Sequence, residues 1–313
     1  MRQISVVIPL YNKGRYIRRA VDSVCAQTFG DFEVTVVDDG STDDGPAIVK
    51  GYADPRIRLI RQANAGPGAA RNRGVRESTA PYLAFLDADD EWLPDFLRVS
   101  IGVLENHPEC SVSITSRYEG SGRIDLTPRF REAGFEAGMW SLDESPIPET
   151  LGRLRPLFCT GSCICRRGIF DQCGGFYDRL KVVCGEDTYL WLQFLLNSTI
   201  FFILQPLFWN HNEASDLGHR WRDGGVRQPY LFDPGSIFDN CPKRHEVLLN
   251  DFLAVRAFER ARELCKCQDI ASVQEMCRVL PAMKRLPWRY AKLRAKMVLI
   301  TLRAVLRNGQ FTS

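Results

Sequence analysis

Four short stretches hold the residues that could do chemistry. Asp87-Ala88-Asp89-Asp90 follows directly on the apolar run Pro81-Tyr82-Leu83-Ala84-Phe85-Leu86. A buried strand that empties into paired carboxylates can hold a hard divalent cation, and oxygen ligands suit Mg²⁺ or Mn²⁺ carrying a diphosphate. A solvated acidic turn capping the next helix would use the same residues, since Asp is a favoured N-cap. Asp38-Asp39 ends a second apolar run, Phe32 to Val37. The Asp39 carboxylate there can accept the imide N–H of a uracil, while turn chemistry before Gly40 is the plainer use of both acids. Arg71 follows the Gly-rich Ala65-Gly66-Pro67-Gly68. At a helix start it would offer N–H groups and a guanidinium to a phosphate or base; otherwise it is a surface arginine. Glu186-Asp187 opens an apolar helical stretch, where acids are stabilised by the helix dipole.

The elements that must position these residues alternate strand and helix. Ile4 to Leu10 is a continuous β-branched run, as expected of a parallel strand covered on both faces. Tyr16 to Gln27 has helical spacing, with Ile17, Ala20, Val21 and Val24 on one side. Strand 32–37, a helix near 46–53, strand 56–61, a helix over 69–78 and strand 82–86 follow. That order predicts an α/β fold, a doubly wound, mostly parallel sheet with helices on both faces. Ligands bind such sheets beyond the carboxyl ends of strands, where Tyr11, Asp38, Asp39 and Asp87 all fall. Further strands are expected at 111–116, 162–166 and 200–204, with long loops over 117–157 and 210–239. The end of the chain reads as helical.

Composition narrows the classes. The 313 residues are 45% hydrophobic, enough to bury a full core, and the net charge of +3 is too small to argue for nucleic acid. Eleven scattered cysteines with no export signal ahead of the strand at Ile4 read as reduced cytosolic thiols. Cys163-x-Cys165 and Cys265-x-Cys267 have the wrong spacing for a zinc knuckle. The uncharged stretch Tyr189 to Trp209 reads as a buried helix, a turn at Asn197-Ser198 and a strand, so no transmembrane helix is expected.

In ordered combination, ISVVIPLYNKGRYI, AVDSVCAQTFGDFEVTVVDDGSTD, NAGPGAARNRG, PYLAFLDADDEWLPD, GGFYDRL and GEDTYLWLQF resemble the family 2 glycosyltransferases of bacterial polysaccharide type. These are inverting enzymes of GT-A fold, and the likeness covers about residues 3–210. It implies transfer of a sugar from a nucleotide diphosphate sugar, expected to be a UDP-sugar, to an acceptor hydroxyl on a glycan or lipid-linked oligosaccharide. It implies further that Asp39, helped by Pro9 and Tyr11, reads the base, that Arg71 contacts the donor, and that Asp89 binds Mn²⁺ or Mg²⁺. Asp87 would contact metal or ribose, and Asp90 would cap the helix near Pro94 or touch the donor sugar. Inversion by single displacement needs a carboxylate to take the acceptor's proton. The resemblance gives that role to Asp187, with Glu186 supporting the site. His211 and His219 lie where relatives close a segment over the diphosphate, and His211 is a candidate third metal ligand or phosphate donor. Trp209, Trp221 and Tyr230 are either sugar-stacking or core aromatics.

By this reading residues 1–110 are the nucleotide-sugar-binding half of one GT-A domain, 111–225 its acceptor-binding half, and 226–313 a loop followed by basic amphipathic helices. Nine cations and no acid follow Glu275. At helical pitch Arg289, Lys292, Lys296, Arg303 and Arg307 share an arc of roughly 60°. Such a helix either lies on an anionic bilayer or packs its apolar side on protein, including a second subunit. The expected location is cytoplasmic, free or peripheral on the cytoplasmic face of the inner membrane. Two other functions fit the same fold. A sugar nucleotidyltransferase would want a Gly-rich, basic loop after the first strand, where this chain has Pro9-Leu10-Tyr11-Asn12-Lys13-Gly14. A catalytically silent carbohydrate-binding or assembly protein would not need Asp39, Arg71, Asp87, Asp89 and Asp187 together.

Overall fold

The structure is a computed structural model that describes residues 2–142, 151–152, 157–182, 184–214 and 227–308, with side chains described to residue 302. Its first half is the alternating unit that the apolar runs predict. Strands β1 (Ile4–Leu10), β2 (Phe32–Asp38), β3 (Ile57–Arg61) and β4 (Tyr82–Phe85) are joined through helices α1 (Gly14–Cys25), α2 (Gly45–Lys50) and α3 (Pro67–Arg76). They pair in parallel in the order β3-β2-β1-β4. Val6, Val7 and Ile8 are fully buried because helices cover both faces: α1 docks Ile17, Ala20, Val21 and Val24 on one, and α3 packs Ala70 and Val75 on the other.

Beyond β4 the sheet becomes mixed. Strand β5 (Glu91–Trp92) and helix α4 (Phe96–Asn106) lead to β6 (Cys110–Glu119), and β10 (Thr199–Asn210) lies parallel to β6. Between β4 and β6 sits β9 (Cys163–Arg166), antiparallel to both. The full path is β3-β2-β1-β4-β9-β6-β10-β5, with two short strands at its margin, β7 (Ile124–Asp125) on β6 and β8 (Gly138–Trp140) on β10. Residues 117–142 are therefore less loop-like than their Gly, Pro and charge suggested. They also hold helix α5 (Thr127–Glu132), pinned by the buried Phe130.

Helices α6 (Arg167–Gln172) and α7 (Glu186–Asn197) follow β9, and α7 is buried nearly all round, from Tyr189 to Leu196. The uncharged stretch at 189–209 is thus a core helix, a turn and a sheet strand. Among the described residues no helix is long and apolar enough to cross a membrane. The region expected as loop up to 239 contains two short helices, α8 (Pro229–Phe232) and α9 (Gly235–Asp239). The tail is helical: α10 (Glu246–Lys266), α11 (Ile270–Val279) and α12 (Pro287–Asn308). Leu249, Phe252 and Leu253 of α10 join the same apolar cluster as Leu190 and Phe194 of α7, so the tail is built onto the sheet's α3 side. All eleven cysteines are free thiols.

Candidate active site

The strand ends carry the site, as the topology requires. At the end of β2, Asp38 does turn work: its Oδ1 accepts from the Ser41 N–H at 2.8 Å and its Oδ2 lies 3.2 Å from Arg61 Nε. Asp39 is also buried, but it reaches the Gly-rich loop. Its oxygens accept from Gln62 Nε2 at 2.8 Å, the Ala65 N–H at 2.9 Å and the Gly66 N–H at 2.8 Å. A carboxylate has about four lone-pair sites, so one remains for a ligand donor. Gly66 makes the sharp turn at φ +97°, where an added Cβ would come within 2.9 Å of the Val182 carbonyl. Pro9 and the half-exposed Tyr11 stand at the end of β1, next to β2, which leads into Asp39.

Helix α3 begins at Pro67, so Arg71 lies in its second turn, past the N–H groups that a helix leaves open. What Arg71 supplies is its guanidinium. Nη2 donates to Asp87 Oδ1 at 2.5 Å and Nη1 to Glu186 Oε1 at 2.8 Å, with the guanidinium over the Phe176 ring at 5.0 Å. Two acidic clusters a hundred residues apart are thereby clamped into one pocket. Arg71 and Glu186 are buried, whereas the Asp87 side chain is 34% exposed. Burial, then the neighbouring Asp187, pushes the Glu186 carboxyl up to about 7, and Arg71 opposes that shift without cancelling it. Asp187 itself is half-buried at the first turn of α7, its Oδ1 accepting from the Thr188 N–H at 2.5 Å.

The rest of the acidic quartet divides its roles. Asp89 Oδ2 accepts from Lys13 Nζ at 2.7 Å, and the same ammonium donates to the Ala214 carbonyl at 2.8 Å. Arg19 donates to the Asp89 carbonyl. Burial and the charge of Asp87 raise the Asp89 carboxyl, while Lys13 opposes them. Asp90 was expected to cap the following helix or touch the donor sugar; its helix role is overturned. Helix α4 starts at Phe96 with Asp95 ahead of it, and Asp90 is buried, accepting from the His211 N–H at 2.7 Å and Asn210 Nδ2 at 3.0 Å. It ties the acidic turn to the end of β10.

The His211 ring meets two carboxylates outside the acidic quartet. Its ring stacks on Trp209 at 4.5 Å, with Nδ1 3.1 Å from Glu213 and Nε2 3.6 Å from Glu91. Trp209 donates its indole N–H to the Gly120 carbonyl, and Tyr230 is core. His219 and Trp221 lie outside the described residues. Lys13 and Arg19 were not anticipated, although Lys13 follows the end of β1 and so obeyed the strand-end rule.

For a divalent ion, the donor set is the test. Among the described residues no three ligating side chains converge. Asp87 and Asp89 nevertheless offer oxygen-only ligands close enough to raise one carboxyl through the other's charge, which a hard cation would relieve. Two such carboxylates suit a hard cation, which would share Asp89 with Lys13.

Comparison with known proteins supplies an independent reading. The family described as "Glycosyl transferase family 2" matches residues 5–174. The uncharacterized glycosyltransferase YibD of Escherichia coli is 48% identical over 94 residues, 29% of this chain and 27% of that protein. Glycosyltransferase GlyA of Streptococcus pneumoniae is 43% identical over 93 residues, 29% of this chain and 13% of that protein. The chain thus spans well under half the length of these relatives. Among solved structures, TarS 1–349 of S. aureus in complex with UDP superposes with a TM-score of 0.69 at 22% identity, covering 99% of this chain and 93% of that one. The mannosyltransferase PcManGT of Pyrobaculum calidifontis, in complex with GDP-Man and Mn²⁺, gives a TM-score of 0.57 at 18% identity, over 97% and 87%. These likenesses establish a shared GT-A fold.

Proposed function

This chain belongs to glycosyl transferase family 2, and from that premise we propose that it moves a sugar from a UDP-sugar to an acceptor hydroxyl with inversion at the anomeric carbon. The observation that carries the reading is the Arg71 clamp. It joins Asp87, at the end of a donor-side strand, to the helix turn that bears Glu186 and Asp187. With Glu186 engaged by Arg71, Asp187 is the carboxylate free to take the acceptor's proton as its oxygen attacks opposite the leaving diphosphate. Glu186 holds the guanidinium in place, and Asp39 reads the uracil with its remaining lone pair. The UDP assignment is also supported by the UDP and UDP-GlcNAc complexes of TarS. A divalent ion, held by Asp89 and Asp87, would neutralise charge on the departing diphosphate. Lys13 brings a fixed positive charge to the same corner. The acceptor belongs to this proposal as a glycan or lipid-linked oligosaccharide on the cytoplasmic side.

Asp187→Asn should keep UDP affinity in calorimetry and lose transfer by about 10²–10⁴-fold, the size of a general-base contribution. Asp89→Ala should instead weaken Mn²⁺-dependent UDP binding. Transfer by Asp187→Asn at the wild-type rate removes it as the base. Failure of the wild type to bind or turn over any nucleotide sugar would leave a silent binding protein.

A further inference from the structure

Helix α12 has two apolar faces, and the protein uses only one. Leu293 and Met297 are 6% and 5% exposed and pack into the core cluster that includes α10. On the far side Trp288 is 89% exposed, and Val298, Leu299 and Leu302 are 54%, 55% and 53% exposed. At about 100° per residue, these four span an arc of roughly 100° centred nearly opposite the buried pair. The apolar side that the helical pattern assigned to a single surface is therefore split, and packing on the protein accounts for half of it.

Between the two faces runs a basic strip. Arg289, Lys292 and Lys296 line one side of a cavity of about 450 Å³ between α12 and α10, and Arg262 of α10 faces them. Leu293, Val255 and Phe258 form its apolar lining. The one acid there, Glu259, is paired with Arg256 at 2.7 Å. The four cations are exposed, and none makes an ion pair with a described residue. An exposed apolar ridge bordered by unneutralised positive charge is the arrangement of a helix lying in the plane of a bilayer surface.

We propose that α12 seats the protein on an anionic membrane, with Trp288, Leu299 and Leu302 entering the headgroup–acyl boundary and the basic groove taking lipid phosphates. Charge decides between a bilayer and a second copy of the chain. A two-fold contact through the ridge would bring two basic strips together, whereas an anionic surface neutralises them. The ridge is too short for spanning and is one-sided, so the attachment is peripheral and salt-sensitive. This goes beyond the transfer reaction, because binding to vesicles does not depend on any catalytic residue.

The test uses the full chain and co-sedimentation with vesicles of phosphatidylglycerol and phosphatidylcholine, against phosphatidylcholine alone. The wild type should bind the anionic vesicles only, and release them at high salt. Lys292→Glu with Lys296→Glu should weaken binding by at least about fivefold per charge removed. Trp288→Ser with Leu302→Ser should also weaken it, and both variants should keep wild-type UDP binding, since all four positions are exposed on α12 and none is among the strand-end residues proposed to hold the donor. Equal binding to neutral vesicles, no vesicle binding at all, or charge reversal without effect overturns the proposal. A wild-type dimer that Trp288→Ser converts to a monomer, with no vesicle binding, would assign the ridge to a second copy instead.

Discussion

Arg71 is worth more as a bridge than as a charge. A buried guanidinium held between two carboxyl groups depends on both as acceptors, and truncating either side chain leaves donors of the ion unpaired in the interior. Glu186 carries the strain of that arrangement: one oxygen bonds Arg71, the other has no hydrogen-bond partner among the described residues, and Asp187 adds a neighbouring negative charge. Its carboxyl is accordingly raised from 4.5 to about 7, mainly by burial. The folded protein then holds this proton more tightly than the unfolded chain does. The contribution is complete below about 4.5 and is lost as the pH rises through about 7, so the wild-type urea midpoint should fall across that window. Glu186→Gln keeps the shape without the titration and should flatten the profile; parallel profiles for the two proteins would refute the assignment. Strand-end logic made Asp39 and Asp87 legible in the sequence, because an apolar run followed by an acid is a local pattern. The Lys13–Asp89 and Asp90–His211 contacts close over 76 and 121 positions, and no spacing rule pairs residues so far apart. That distance is why Asp90 read as a cap when it is an anchor.

At the scale of elements, the clamp depends on how closely α3 approaches its neighbours. A Cβ at Gly68 would stand 2.4 Å from the Tyr177 carbonyl and 3.2 Å from Glu186 Cγ, and neither backbone nor buried side chain can yield cheaply. Gly68→Ala should therefore push α3 away from the start of α7 and part Arg71 from Glu186. Destabilisation of about 1–3 kcal/mol, with a larger loss of transfer, is the expected outcome in thermal unfolding and activity assays. Gly102 is the control. It lies inside α4 with nothing within 4 Å of an added Cβ, so Gly102→Ala should stabilise by about 0.5–1 kcal/mol and leave transfer intact. Equal behaviour of the two variants would mean that helix propensity, not close approach, governs the Gly-rich segment. The same elements show where periodicity informs and where it fails. Strands β1, β2 and β4 could be read because each is buried on both faces, and the partly buried edge strand β3 because its apolar residues still form a short run. Strand β9 was legible as an extended run, but its antiparallel place between β4 and β6 is set by tertiary pairing alone.

Across the whole molecule, the donor and acceptor halves are proposed as parts of one cooperative body, divided at about residue 110. The division is chemical, because the sheet runs through it. Strand β4 bonds β1 on one edge and β9 on the other, so a fragment of residues 1–110 would turn a central strand into an open edge. It would also uncover Val7, Leu83 and Phe85, which are fully buried in a cluster shared with Phe170, Phe176 and Phe194. Aromatic contacts fix that junction: Phe85 meets Phe176 edge-on at 4.9 Å and Phe170 at 5.7 Å. Exposing side chains of this size costs about 1.5–3 kcal/mol each, and an unpaired apolar edge invites aggregation. The 1–110 fragment should therefore fail to show a cooperative thermal transition, while the full chain should melt with a single transition that UDP and Mn²⁺ shift upward together. A fragment that unfolds cooperatively and binds UDP by itself would make the nucleotide half an independent domain. The clamp between Arg71 and Glu186 would then be an interface formed after folding, and Arg71→Ala, which costs the fragment only the Asp87 contact, would lower its stability less than that of the full chain.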